Sequence, residues 1–172
     1  MYREKDNDPN RYKQLFERLP FLDTGVGLGY CEPGDSWHEY LPMGWQSLFL
    51  DLCDIIAMTL KHKKIDLSHF RLQQVKEKFG EMRIYWSFQG PSEISNQIDE
   101  MVDTICHLSG RLCCQCGKPA QYQSKGWVCP YCHDCAVEWA KDRYQDEYKE
   151  EIILQQFTEM WEDYFAEAKD LL

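Results

Sequence analysis

The reading of the fold turns on Arg111-Leu-Cys-Cys-Gln-Cys-Gly-Lys-Pro-Ala120, followed after five intervening residues by Gly126-Trp-Val-Cys-Pro-Tyr-Cys-His-Asp-Cys135. The stretch holds six of the chain's nine cysteines within 23 residues. Two-residue spacing lets both thiolates of a turn reach one ion at ~2.3 Å, and a following glycine relieves the turn. Cys113 and Cys116, with Gly117 next, fit one such knuckle. The second knuckle is either Cys129/Cys132 or Cys132/Cys135. With the latter choice fifteen residues separate the two pairs, within the usual range of a zinc ribbon. Zinc is the metal this pattern predicts.

Two other chemistries use similar spacings. Cys129-Pro-Tyr-Cys132 matches a glutaredoxin-type redox pair, and Cys129-x2-Cys132-His133 matches a c-type haem attachment site. A redox pair of that kind opens the first helix of a βαβ fold with most strands after it, whereas only helix is predicted here. Haem attachment would demand export. A zinc deaminase would need His-x-Glu before Pro-Cys-x2-Cys, but His38 and Glu39 are adjacent and Pro130 lies inside the pair. Four thiolates also leave no open ligand position for water, so such a site is structural. Cys31, Cys53 and Cys106 stand alone, and Cys53 and Cys106 read as small buried hydrophobes.

Outward from the cluster, amphipathic patterns set the elements. Trp45, Phe49, Leu52, Ile56 and Leu60 recur at helical spacing and predict a helix over 44–62. Met82, Ile84, Trp86 and Phe88 alternate with Arg83, Tyr85 and Ser87, a half-buried strand. Arg71 to Lys78 can pair with it through Phe79-Gly80-Glu81, which predicts a hairpin over 70–88. Ser92 can cap a second helix carrying Ile94, Ile98, Met101, Val102, Ile105 and Leu108, ended by Gly110. A short helix ends at Pro20, and 23–44 reads as a glycine-rich loop. Past Pro130 there is neither proline nor glycine, so one long acidic helix, or two in line, is predicted to Leu172.

The expected fold class is α+β, helices on a hairpin with a zinc ribbon and a long acidic C-terminal helix. Its parts are an α+β body over 1–110, a zinc-ribbon module over 111–136, and the acidic helix over 137–172 packed on the same domain. The 172 residues are 44% hydrophobic, enough for a sizeable core. The N-terminus is polar, and no apolar run reads as a signal peptide or membrane span. A cytoplasmic protein is expected, and clustered cysteines in a reducing compartment favour metal over disulfides.

Net charge is −10, with −7 concentrated in 142–172 and a basic band of +4 over 61–83. Acidity on this scale opposes direct nucleic-acid binding, which needs a basic footprint, and suits a basic protein partner. No metalloprotease, nucleophile-elbow or P-loop motif is present, so no catalytic residue is assigned and no enzyme is expected.

Gly44-Trp45, then Leu52-Cys53, then Gln74-Val-Lys-Glu-Lys-Phe-Gly-Glu-Met-Arg-Ile-Tyr85 resembles the core of an uncharacterised family common in bacteriophages and prophages. Its members continue with a helix, then Cys-x2-Cys-Gly-x-Pro, then Gly-Trp, then Cys-x2-Cys or Cys-x2-His. Cys113, Cys116-Gly117-Lys118-Pro119, Gly126-Trp127 and Cys132 with Cys135 follow that order, so the likeness covers about 44–136. It implies Cys113, Cys116, Cys132 and Cys135 as ligands of one structural zinc ion; by spacing alone Cys114, Cys129 and His133 are close substitutes. The extra Cys114 and Cys129 and the acidic tail depart from the pattern. The resemblance carries no activity. It implies a phage accessory protein in the bacterial host cytoplasm, and such proteins include inhibitors of host defence such as anti-CRISPR proteins.

A non-enzymatic inhibitor of a host protein is therefore expected, with a CRISPR-Cas nuclease as one target. Acidic surfaces at 142–172 or around Asp35, Glu39, Asp51 and Asp54 would face the partner. The alternative is a nucleic-acid-binding ribbon using Arg71, Lys76, Lys78, Arg83, Lys118 and Lys125, with Tyr85 or Trp127 to stack. Trp37, Tyr40, Trp139 and Tyr148 are further candidates for contact residues.

Overall fold

The computed structural model describes residues 13–22, 41–147, 149 and 151–160. The long apolar periodicities become helices where expected. A short helix α1 (Lys13–Arg18) leads in, and α2 (Gln46–His62) buries Phe49, Leu52, Cys53, Ile56, Ala57 and Leu60 along one face. By length and composition alone Met43–His62 would reach across a bilayer, contrary to the expectation that no segment approaches that length. Its apolar stripe is instead occupied by the core.

Strands β1 (Phe70–Lys78) and β2 (Glu81–Phe88) form the hairpin, antiparallel with Lys78 opposite Glu81 and an irregularity between Leu72 and Gln74. Phe70, Leu72, Val75 and Met82 point into the core, and Lys76, Arg83 and Tyr85 lie on the outer face. The outer edge of β2 is covered by α3 (Ser92–Ser109). There the Met82 N–H donates to Ser109 Oγ at 2.7 Å, and that hydroxyl donates in turn to the Cys106 carbonyl. Ser109 is the buried polar residue of the described core, and these bonds satisfy it, as burial requires. At the other end of α3 the N-cap is not Ser92 but Pro91, and the Pro91 carbonyl accepts from the Ile94 and Ser95 N–H groups.

After Gly110 the chain makes a compact turn-rich segment, with β3 (Tyr122–Ser124) pairing to β4 (Pro130–Tyr131). Helix α4 (His133–Tyr144) follows directly. The long acidic helix expected from there does not form over the described residues. Gln145 adopts φ +44, which breaks the helix. A short helix α5 (Glu151–Gln156) then leads into β5 (Phe157–Glu159), which adds a third strand against β3. The reason is packing. Phe157 is buried between Tyr131 and Trp139, ring centroids 5.3 and 5.2 Å away. The Lys125 N–H reaches the Gln156 carbonyl and the Met160 N–H reaches Gln121. A three-residue strand is below the length at which sequence periodicity separates strand from helix. Residues 161–172 and 23–40 lie outside the described region, and with them the expected loop, Cys31, Asp35, Trp37, Glu39 and Tyr40, as does Tyr148.

One contiguous core links these parts, running from Leu19 and Phe21 through α2, the hairpin and α3 to Ala136, Ala140, Ile153 and Phe157. Truncating Phe157 to alanine removes a buried aromatic and leaves a cavity under β5. The expected loss is about 3–5 kcal/mol, measurable as a lower urea midpoint. A loss below ~0.5 kcal/mol, the scale of a surface change, would show that β5 is not docked.

Candidate metal centre

The first knuckle is built by an unusual seat. The Cys113 N–H donates to Lys118 O at 2.7 Å and the Gly117 N–H donates back to Cys113 O at 2.9 Å, which closes the turn. Gly117 takes φ +76, a conformation glycine adopts without strain. Gly44, in the short turn leading into α2, lies directly against this loop. A side-chain carbon built on Gly44 would sit 2.2 Å from the Cys113 carbonyl oxygen and 2.5 Å from the Gly117 nitrogen. The same contact is sealed by the Gly44 N–H to Cys114 O at 3.0 Å and by Trp45 Nε1 to Leu112 O at 2.9 Å. Gly44-Trp45 is thus the body's grip on the knuckle. Trp45 itself is fully buried.

The second pair sits at the start of α4. Cys132 precedes the helix and Cys135 is in its first turn, so a three-residue step puts both on one side. Cys129 and Cys132 flank the extended β4, where an odd separation puts side chains on opposite faces. That geometry brings Cys132 with Cys135, and not Cys129, to Cys113 and Cys116.

The Sγ atoms of Cys113, Cys116, Cys132 and Cys135 all lie within 4.8 Å of one another, and Cys116 and Cys132 are 3.5 Å apart. A tetrahedron of sulfurs ~2.3 Å from a zinc ion has edges of about 3.8 Å. The donor set fits that ion in number, chemistry and spacing. Among the described residues this is the group of metal-ligating side chains close enough to hold an ion.

Burial pushes the Cys113 thiol up to about 11, although backbone N–H groups of Cys132, Cys116 and Gln115 pull the other way. Cys135 is raised by burial and by the thiols of Cys116 and Cys132. Burial also acts to raise Cys116, but the Lys118 N–H and the neighbouring thiols of Cys132, Cys135 and Cys113 hold it below the ordinary value. Sulfurs packed this closely repel as thiolates unless a cation lies between them. Outside the cluster Lys118 Nζ meets Asp134 Oδ2 at 3.0 Å and ties the first knuckle to α4.

Cys114 and Cys129 are elsewhere. Cys114 is buried in the core cluster and is not among the four thiols that converge. Its thiol is raised by a hydrogen bond with Cys129 and by burial, in contact with the Tyr131 hydroxyl. His133 offers its backbone N–H to Gln121 Oε1 and its ring lies 6.0 Å from Tyr122. Cys53 and Cys106 are buried as expected, and burial pushes the Cys106 thiol up to about 11. His69 Nδ1 bonds the Gln89 carbonyl, and His107 sits on the surface 3.7 Å from Glu81.

Sequence reading missed the Gly44 seat as part of the site. The signal was available, because a glycine directly before an amphipathic helix, at Gly44 ahead of Gln46, has no helical reason to be there. Comparison of the chain with known protein families, with characterised proteins and with solved structures finds no match.

Two expectations separate this centre from its neighbours. Elemental analysis should find one metal ion per chain in the native protein, lost in Cys113→Ser and Cys132→Ser but retained in a Cys114→Ala/Cys129→Ala double variant. Gly44→Ala should destabilise by roughly 1–3 kcal/mol or more through overpacking, and chelator should then strip its metal faster than from the native protein. Metal retention in Cys132→Ser with loss in the double variant would put the ligands elsewhere.

Proposed function

We propose that the chain is a non-enzymatic phage accessory protein with one structural zinc ion, acting in the bacterial host cytoplasm by binding and inhibiting a host protein. The observation that carries the reading is the four-thiol centre clamped between Gly44-Trp45 and the start of α4. With Cys113, Cys116, Cys132 and Cys135 as ligands, zinc has no position left for water or substrate, so its role is to fix the fold. Ligand binding then counts as folding free energy for a segment whose residues between the knuckles are mostly polar.

The partner class follows from the resemblance and from charge. An inhibitor of host defence, directed at a nucleic-acid-binding nuclease of the CRISPR-Cas type, suits a protein of net charge −10. Within the described region the acidic residues Asp51 and Asp54 lie on α2, and Asp54 pairs with Arg18 at 3.1 Å. A second reading has one observation in its favour: Lys76, Arg83 and Tyr85 share the outer face of the hairpin. Such a face could carry single-stranded nucleic acid, though the charge of the whole chain opposes it.

The deciding experiment is capture from bacterial lysate on immobilised native protein, with and without nuclease treatment. The expected result is a nuclease-resistant protein partner whose activity falls when the complex forms. Recovery of nucleic acid alone, released by moderate salt, would replace the inhibitor reading with the nucleic-acid one.

A further inference from the structure

The four thiols of the metal centre are not equally open to solvent. Cys113 and Cys132 are buried, Cys135 is half-buried, and Cys116 is exposed. The difference follows from how the first knuckle is seated. Gly44 and Trp45 press on its backbone from the body side. Its other residues Gln115, Cys116, Lys118 and Pro119 are all exposed. Lys118 Nζ is held by Asp134 Oδ2 at 3.0 Å, and its charge lies within electrostatic reach of both Cys116 and Cys132.

Cys116 and Cys132 belong to different knuckles, and their sulfurs are 3.5 Å apart. A disulfide between them needs an approach of only about 1.5 Å, to the ordinary S–S length. A cysteine reacts with oxidants when it is a thiolate, open to solvent and beside a positive charge. Ligation to a metal supplies the thiolate, because a coordinating thiol is deprotonated. Cys116 adds exposure and the neighbouring Lys118; Cys113 and Cys132 lack the exposure. The same chain holds a contrasting pair. The Cys114 N–H donates to the Pro130 carbonyl at 2.9 Å, which sets Cys114 beside Cys129 and Tyr131, the residues flanking Pro130. Cys114 and Cys129 are in hydrogen-bond contact too, but both are buried. Contact between sulfurs is common to the two pairs, and access to solvent separates them.

We infer that Cys116 is an oxidation site of this protein for peroxide, and that Cys132 resolves it into a disulfide that discharges the metal. The inference rests on the structural-metal reading above and is independent of which partner the protein binds. The Cys116 thiolate attacks one oxygen of hydrogen peroxide; the S–O bond forms, the O–O bond breaks, and the departing hydroxide takes up a proton as water. The Cys132 thiolate then attacks the Cys116 sulfur; the S–S bond forms, the S–O bond breaks, and a second hydroxide leaves as water. Two electrons pass from the two sulfurs to the peroxide. Cys113 and Cys135 remain, and two thiolates do not complete the four-ligand shell of a structural zinc site. The two knuckles are then joined by a covalent bond in place of the ion.

Full-length, zinc-loaded protein is treated with hydrogen peroxide while a chromogenic chelator reports released metal. Free thiols are counted after denaturation, and the disulfide is located by peptide fragmentation in a mass spectrometer. Release should consume about two thiols per ion, the new bond should join Cys116 to Cys132, and Cys114 and Cys129 should stay reduced. The Cys114→Ala/Cys129→Ala double variant should release metal as the native protein does. Cys116→His keeps a fourth ligand of a kind found in structural zinc sites but removes the exposed sulfur, so peroxide should release its metal about tenfold more slowly or less. Cys135→His, which retains Cys116, should release at the native rate. If Cys116→His holds no metal, the disulfide mapped in the native protein decides. Equal release from native and Cys116→His protein, or a first disulfide at Cys113–Cys116, Cys132–Cys135 or Cys114–Cys129, overturns the inference. Metal kept under peroxide overturns it and leaves the structural-metal reading standing; native protein that takes up no zinc overturns both.

Discussion

The backbone of Gly44 lies against the Cys113–Gly117 turn with no room for a side-chain carbon, and the arrangement of the molecule depends on that contact. Because the turn can approach so closely, its N–H and C=O groups find partners on the body: Cys114 O takes the Gly44 N–H and Leu112 O takes the Trp45 indole. The first knuckle is thereby fixed relative to α2. The second is fixed relative to α4, so four sulfurs meeting at one point set α2 and α4 in a defined relation. A metal bound there would lock two helices as well as a loop. The polar stretch between the knuckles could not supply that rigidity from its own apolar area.

The hairpin depends on a second, smaller constraint. A two-stranded sheet is marginal alone and needs its face and edge covered. The inner face packs on the core through Val75 and Met82, and α3 closes the β2 edge through Ser109. The outer face and the tip are left to solvent, where Phe79, Tyr85, Lys76 and Lys78 gather. The tip also lies against the β3–β4 loop at Val128, so the cysteine-rich segment packs on the hairpin.

The aromatic cluster around Phe157 shows how the C-terminal segment was redirected. Trp139, which the sequence offered as a contact residue, packs against Phe157 and Tyr144 with Arg143 over its ring at 5.3 Å. It belongs to the fold. Placing Phe157 in that cluster requires the chain to turn at Gln145 and return as a strand, although nothing in its composition breaks a helix.

The sequence by itself determined the elements whose periodicity is long. Helices at 46–62 and 92–109, the hairpin at 70–88 and the α+β class follow from apolar spacing over many residues, because one face must be buried against something. The spacing of Cys113 and Cys116 determined the first knuckle for a similarly local reason. Tertiary structure decided the rest. Cys132 with Cys135 rather than Cys129 depends on where strand ends and helix begins, which turns the Cys129 side chain away. Cys114 packs into the core while its chain neighbour Cys113 joins the four-thiol cluster, a separation made by the turn and not by spacing. β5 exists because β3 had an open edge and Phe157 had a cavity to fill, and both are properties of distant residues that no local pattern encodes.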